Sequence, residues 1–413
     1  MKILHLNNFD ITGGAARAAY RIHAALRECG IHSEMLVARK NSLDRSVRCY
    51  PVPYQVKKNH FIKKLLGYQK TSNPSYHSLN LFQSGIYKII NRIDADIINI
   101  HWIGKELISI SELKKINKPI VWTLHDMWAF CGAEHYDSID FSNRYRERYT
   151  NKNRPTCHKG WVDLDGSTWR RKKKHWHNVN FNFVTPSRWM AECLCMSSLF
   201  FGEKATVIPN CLNTDVFKPT DKNNARKSFN LPQEKQLILF GADGGSRNPL
   251  KGFHFLKQAL ETFASGSEVS AIECITFGGK CSGRSTIKGI PVTEVGRIND
   301  DHKLAMLYSL ADVFIIPSMM DNLPNTVMEA MSCGTPCVGF GIGGIPDMID
   351  HLQNGFLVSP FDTNMLAEGI KWVLGDIERH YKLSKAAREK VVCNYAYTKV
   401  AEQYIDVYKR ITN

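Results

Sequence analysis

Short apolar runs alternate with longer stretches of helical spacing along this chain, and the alternation occurs in two consecutive series. The first series of expected strands is Lys2–Leu6, Glu34–Arg39, Asp96–His101, Ile120–Leu124, Asn182–Thr185 and Thr206–Ile208. The second is Gln236–Gly241, Ala271–Phe277, Val292–Val295, Asp312–Ile316 and Pro336–Gly339. Most are continuous apolar runs, the pattern of parallel strands buried on both faces. Helices are expected between them at Ala15–Cys29, Phe253–Phe263, Asp301–Leu310, Pro324–Cys333 and Asn364–Leu374. Parallel neighbours need crossover connections, so this alternation specifies α/β, doubly wound, Rossmann-like domains, here two of them.

The seam falls in VIPNCLNTDVFKP, Val207–Pro219, where prolines, asparagines and an aspartate break both periodicities. It gives an N-terminal domain 1–211 and a second domain 212–394. In the remaining 395–413, Thr398–Ile411 reads as a helix with Val400, Tyr404, Val407 and Tyr408 on one face, expected to pack back on the first domain.

Charge bounds the partners. Lys and Arg number 54 against 39 Asp and Glu, a formal net charge of +15, which favours nucleotides, phosphates, nucleic acid or an acidic membrane face. The excess concentrates in 141–177, with eleven cations, three acids and Trp161, Trp169 and Trp176 between them. This segment reads as an insertion or mobile segment on the first domain. Its RRKKKHWH run fits a nucleic-acid patch, an anionic membrane surface or a solvated face. No apolar run approaches the ~20 residues of a spanning helix. MKILHLNNFD lacks the features of a signal peptide, and the twelve cysteines have no scaffold spacing. Reduced thiols and a cytoplasmic location are therefore expected.

The most informative segment is Pro317–Ile349. A buried strand ends in a loop, and a helix is expected to open at Pro324, with proline in its first turn. Leu323, Pro324, Asn325 and Thr326 stand at the positive end of that helix, which stabilises phosphate. Asp321 and Glu329 flank it with seven residues between them. Carboxylates bind hydroxyls rather than phosphate, so the arrangement points to a nucleotide sugar. The plainer reading has Asp321 capping the turn and Glu329 solvated. Three further elements carry candidate chemistry. GADGGSRNPLKGFHFL offers a glycine turn with Arg247 and Lys251 for phosphate. In TLHDMWAFCGAEHYD, His125 and Asp126 end a strand, at the ligand crevice of open α/β sheets. Asp10–Ala15 is no dinucleotide fingerprint, and Gly13 and Gly14 serve either a ligand loop or a tight turn. Cys131, His135, Cys157 and His158 fit no standard metal spacing.

Asp321, Glu329–Ala330 and the Gly334–Pro336 turn resemble the signature of the retaining glycosyltransferases of family four, which have the GT-B fold of two facing Rossmann-like domains with a cleft between them. The DNLPNT wording is similar to bacterial exopolysaccharide and O-antigen enzymes, including the colanic-acid type. The resemblance covers nearly the whole chain. It implies that Glu329 binds ribose hydroxyls, that Asp321 contacts the donor sugar and that the backbone of Leu323–Thr326 holds sugar and phosphate. It further implies that Lys251 clamps the diphosphate and that His125 contacts the donor sugar. The clamping arginine usually follows the first glycine, where Ala242 stands, so Arg247 is the candidate substitute. Asp321 is shorter than the usual glutamate. Gly13 and Gly14 resemble the family's flexible first loop. The implied reaction is metal-independent, retaining transfer from a nucleoside diphosphate sugar to a glycan acceptor, lipid-linked in enzymes of this kind, with no cofactor and no nucleic acid. Attachment through 141–177 to the inner face of the cytoplasmic membrane goes with that acceptor. The alternatives are a sugar-nucleotide epimerase on the same fold and a basic nucleic-acid-binding protein.

Overall fold

The computed structural model describes residues 1–137, 143–155, 159–242, 244–265, 269–280 and 282–413. The chain divides into two compact units, Met1–Asn210 with Val400–Asn413, and Cys211–Lys399. In the first unit the strands are β1 (Lys2–Phe9), β2 (His32–Arg39), β3 (Val47–Cys49), β4 (Ile97–Ile100), β5 (Ile120–Thr123), β6 (Phe181–Thr185) and β7 (Thr206–Val207). They form one parallel sheet in the order β3-β2-β1-β4-β5-β6-β7. In the second unit they are β8 (Gln236–Gly241), β9 (Ile272–Phe277), β10 (Ser282–Ile287), β11 (Ile290–Val295), β12 (Val313–Ile316), β13 (Cys337–Phe340) and β14 (Gly355–Val358). Their order is β10-β11-β9-β8-β12-β13-β14, parallel except for the β10–β11 hairpin. Each sheet starts in its middle and winds outward both ways. The strand order therefore reverses between β1 and β4 and between β8 and β12, where open α/β sheets hold ligands.

The apolar runs behave as central strands should. β4, β5, β9, β12 and β13 are buried at every position. Along β8, Leu237 and Leu239 enter one core with Phe314, Val327 and Tyr308, while Ile238 and Phe240 enter the other with Leu256, Leu260 and Ile370. The sheet is thus covered on both faces. The Tyr397–Thr412 helix buries Val400, Tyr404, Val407 and Tyr408. Asn99 next to the end of β4 donates to Tyr408 Oη at 2.7 Å, and Thr123 at the end of β5 meets Tyr404 Oη at 3.2 Å. Among the described residues no helix is long and apolar enough to cross a membrane, and the ten described cysteines are free thiols.

Part of the basic segment is built into the fold: the Leu164–Trp176 helix lies in the crossover that the parallel step from β5 to β6 requires. Asp163 caps it, accepting from Gly166 N at 2.9 Å. Trp169 and Trp176 are buried, and Trp176 meets Trp122 of β5 edge to face at 5.4 Å, whereas Trp161 is 84% exposed. Several cations are structural. Arg144 is buried against Asp163 and the Tyr149 ring, Arg154 donates to Val162 O, and Arg171 donates to Leu79 O. Lys172 is fully buried, with Nζ donating to the carbonyls of Gly132 at 2.7 Å, Cys131 at 3.1 Å and Trp128, above whose ring it sits.

Burial lowers the Lys172 ammonium from 10.5 to about 7, against the opposing pull of Cys131 and Glu134. The sign follows. From pH 7 to about 10.5 the unfolded chain holds this proton and the folded chain does not, so stability rises with pH through that window and is flat below it. Relative to Lys172→Met, which has no such proton, the wild-type stability should gain about 2 kcal/mol between about pH 7.5 and 9.5. Urea titrations of both proteins across that range check it; a constant gap would refute the depressed ammonium.

Candidate active site

In the second unit the switch point between β8 and β12 is bordered by two loops, 244–252 and 317–324. They are locked together. Met319 N donates to Leu250 O at 2.9 Å. Gly252 has φ +72°, and a Cβ there would lie 1.8 Å from Pro317 O, so no other residue fits without moving a loop. Asn248 accepts from Leu250 N at 3.2 Å and closes the short turn Pro249–Lys251. The turn delivers Lys251 Nζ to 2.5 Å from Asp321 Oδ2, which also accepts from Ser318 Oγ at 3.3 Å. The loop after β13 fixes Asp321 from behind. Gly344 N donates to Asp321 O at 3.1 Å, and Gly343, at φ +59°, leaves no space for a Cβ beside that oxygen.

The following helix runs Asn325–Ser332. Pro324 is not in its first turn, as the sequence suggested. It stands just outside, extended at φ −66° and ψ 118°, with its carbonyl accepting from Val327 N at 3.1 Å. The ring fixes φ at a value common to both conformations, so ψ decides its place. Leu323 points into the core, and the backbone of Asn325 and Thr326 forms the positive helix end. Glu329 is not a solvated helix residue. It is 3% exposed, and its Oε2 accepts from the buried Tyr308 hydroxyl at 2.9 Å. Asp321 does not cap the turn; its carboxylate is held by a cation. Lys251, Asp321, the Asn325 helix start and Glu329 therefore share one end of one sheet. Arg247 sits in the Gly245–Arg247 turn, exposed and without a hydrogen-bond or ion-pair partner among the described residues.

In the first unit the loop after β1 carries Gly13 and Gly14. Gly13, at φ 93°, precedes the Gly14–Glu28 helix, whose first residue is Gly14. The resemblance implied a flexible loop, but its base is tied down. Buried Asp10 accepts from Ser42 N at 2.7 Å, Asn41 N at 3.0 Å and Ile11 N at 2.8 Å, and Asn41 donates to Thr12 Oγ1 at 2.7 Å. Burial would raise the Asp10 pKa, but the N–H groups of Ser42, Asn41 and Ile11 outweigh it and hold the carboxyl below its ordinary value.

His125 and Asp126 follow β5. Asp126 accepts from Trp128 N at 3.0 Å and meets His135 Nδ1 at 2.6 Å, while His135 Nε2 meets Ser78 Oγ at 2.8 Å. A pocket of about 10 Å³, lined by His101, Trp102, His125, Asp126 and His135 among others, has room for one water. Two histidines that the sequence reading passed over complete a row with His125. Its Nε2 lies 3.0 Å from His101 Nδ1, and His101 Nε2 lies 2.8 Å from His5 Nδ1. Burial pushes the His125 pKa down to about 4 against the pull of Asp126, so the ring is neutral at pH 7. Cys131 is buried, Cys157 and His158 lie outside the described residues, and among the described residues no three His, Cys, Asp or Glu side chains gather as a metal site would require.

Residues 12–216 match the family model of Glycosyltransferase Family 4, and residues 221–390 match that of Glycosyl transferases group 1. An uncharacterized glycosyltransferase of Methanocaldococcus jannaschii is 27% identical over 238 residues, covering 55% of this chain and 59% of that protein. The chain spans about half the length of the curated relatives it matches. Among solved structures, sucrose-phosphate synthase of Thermosynechococcus elongatus is similar at a TM-score of 0.70 and 19% identity, over 99% of both chains. HepE of Anabaena in complex with UDP-glucose is similar at a TM-score of 0.70 and 16% identity, over 99% of this chain and 100% of that one. These likenesses extend to the fold, and the two family models together span most of the sequence. The chain belongs to the family-four type of glycosyltransferases with the GT-B fold.

Proposed function

We propose that this protein transfers a sugar from a nucleoside diphosphate sugar to an acceptor hydroxyl, with retention at the anomeric carbon and without a metal. The observation that carries this reading is the meeting of Lys251, Asp321, the Asn325 helix start and buried Glu329 at one switch point. An ammonium and a helix start suit a diphosphate; a buried carboxylate, already anchored by Tyr308, suits ribose hydroxyls. A diphosphate reaching Lys251 competes with Asp321 for the ammonium and releases that carboxylate toward the donor sugar.

Departure of the nucleotide breaks the bond between the anomeric carbon and the phosphate oxygen. Lys251, the helix dipole and, on approach of the ligand, Arg247 stabilise the growing charge on the leaving diphosphate. The acceptor oxygen attacks from the same face, and its proton passes to the departing phosphate oxygen. A covalent course would need a carboxylate beneath the ring. Buried Glu329, engaged by Tyr308, is no such carboxylate, and Asp321 is assigned to the donor sugar's hydroxyls, in keeping with the same-face course. The acceptor we propose is a lipid-linked glycan of bacterial cell-surface polysaccharide synthesis, in keeping with the DNLPNT segment. Exposed Arg146, Arg148, Lys152, Arg170, Lys173 and Lys174 supply charge for an anionic membrane surface.

A thermal-shift screen of nucleoside diphosphate sugars tests the reading, with UDP-glucose first because the structurally similar HepE was solved with it. At a hundredfold excess over Kd the true donor stabilises by about 2.7 kcal/mol, a shift of several degrees. Incubation with and without candidate acceptors then separates transfer from epimerisation. No shift with any nucleotide sugar, alongside salt-dependent binding of DNA or RNA, would overturn the proposal.

A further inference from the structure

Three adjacent strands of the first sheet, in the order β2-β1-β4, end with Arg39, Phe9 and, two residues on, Trp102. Phe9 and Arg39 are partners in register. β1 also holds the turn that follows β4. Asn7 Oδ1 accepts from Trp102 N at 2.8 Å, Asn8 N donates to Trp102 O at 2.9 Å, and Asn8 Nδ2 donates to Gly104 O at 2.6 Å. A Cβ at Gly104 would lie 2.6 Å from Ser78 Oγ and 2.8 Å from the Trp102 ring, so the turn needs glycine there. Lys105 and Glu106 then take left-handed backbone, at φ +56° and +60°, a conformation that costs a non-glycine residue about 1–3 kcal/mol. Gln55 Nε2 fixes the turn by donating to Lys105 O at 3.0 Å.

The turn carries the Lys105 ammonium among three aromatic rings. Its Nζ lies 4.8 Å from the centroid of Phe9, 5.5 Å from that of Tyr76 and 5.9 Å from that of Trp102. The Arg39 guanidinium stands 6.0 Å from Phe9. Ring faces attract a cation but leave its charge uncancelled. Neither cationic side chain has a hydrogen-bond or ion-pair partner among the described residues. The acids nearest in the chain are committed elsewhere: Asp10 to the N–H groups of Ser42, Asn41 and Ile11, and buried Glu106 to Phe82 N at 2.9 Å. Burial, reinforced by Arg39, lowers the pKa of the Lys105 ammonium. Two cations that share a partly desolvated place repel each other, and a bound anion relieves both costs.

We propose that Arg39 and Lys105 hold the phosphate group of a sugar phosphate, with the rings of Tyr76 and Trp102 against its sugar. The pair suits phosphate: the guanidinium supplies a planar fork and the ammonium a point charge. Tyr76 is 48% exposed and Trp102 is partly exposed, so both offer surface to a ligand. The C–H face of a sugar ring packs on an aromatic face as other apolar groups do. Inorganic phosphate gains nothing from the rings and should bind more weakly. The site lies wholly in the first unit and is separate from the nucleotide-sugar site of the second. Taking its ligand as the acceptor rests on the transfer reading above; its binding does not.

The test is an indole ¹⁵N–¹H spectrum of the full chain, with the Trp102 signal assigned by Trp102→Phe, titrated with glucose 6-phosphate, glucose and inorganic phosphate. Glucose 6-phosphate is expected to move the Trp102 signal with a Kd at least about fivefold below that of inorganic phosphate, and glucose to leave it in place. No movement with either phosphate overturns the proposal, and equal Kd values overturn the part given to the rings. Lys105→Met and Arg39→Gln should each raise the Kd for glucose 6-phosphate by about tenfold or more, the effect of losing a charge-assisted contact. Arg39 is exposed and its loss should leave the fold intact, so Arg39→Gln decides if Lys105→Met does not fold. An unchanged Kd in the folded variants overturns the proposal. A protein that binds glucose 6-phosphate in this way but turns over no nucleotide sugar would sink the transfer reading and leave this site standing.

Discussion

Replacing Lys251 with alanine should lower kcat by about two to three orders of magnitude while the protein stays folded. In the proposed transfer the leaving diphosphate gains charge as the anomeric bond breaks, so a cation aimed at it would stabilise the transition state more than the bound donor. Lys251 is the ammonium that the locked loops of the second sheet bring to that place, beside Asp321. Its removal should cost the fold little. The side chain is 27% exposed, and partly solvated ion pairs contribute about 0–1 kcal/mol. Lys251→Arg keeps the charge but offers a wide planar fork in place of a compact ammonium, and should recover only part of the rate. Steady-state kinetics with the identified donor, together with Tm for each variant, check this. A Lys251→Ala rate within threefold of wild type would remove Lys251 from the reaction.

How far the sequence carries such arguments differs by element. The central strands were legible because parallel strands covered on both faces have to be apolar throughout, as in Ile97–Ile100 and Val313–Ile316. β10 escaped because five of its six residues are exposed, and the Gln55–Gln69 helix because it buries only Gln55, Ile62 and Gln69. The Leu164–Trp176 helix was hidden by its charge: a run of cations reads as a solvated surface until the fold shows Lys172 satisfied by backbone carbonyls. The spacing of Asp321 and Glu329 was visible because one helix start connects them. The Lys251–Asp321 contact spans 70 positions and depends on β8 and β12 being neighbours. The histidine row has the same origin. His5 and His101 lie 96 positions apart and become a unit only once β1 and β4 pair.

Loss of the Glu329 carboxylate should be the other large effect, on affinity rather than rate. Glu329→Gln should weaken nucleoside diphosphate binding by about tenfold and Glu329→Ala by up to about a hundredfold, the range that one or two charge-assisted hydrogen bonds to ribose hydroxyls account for. The two variants separate recognition from folding. Glutamine keeps the volume and still accepts from the buried Tyr308 hydroxyl. Alanine opens a cavity and removes that hydroxyl's bond to the carboxylate, a stability loss of about 1–3 kcal/mol that Tm records independently. Calorimetry with UDP, and with the matching deoxyribose nucleotide, reads the recognition directly. The wild type should prefer UDP, and Glu329→Gln should lose most of that preference because the missing hydroxyl no longer has a carboxylate to meet. Equal affinity of wild type and Glu329→Gln for UDP, with both folded, would place the ribose elsewhere. The diphosphate assignment to Lys251 would then stand on its own kinetics.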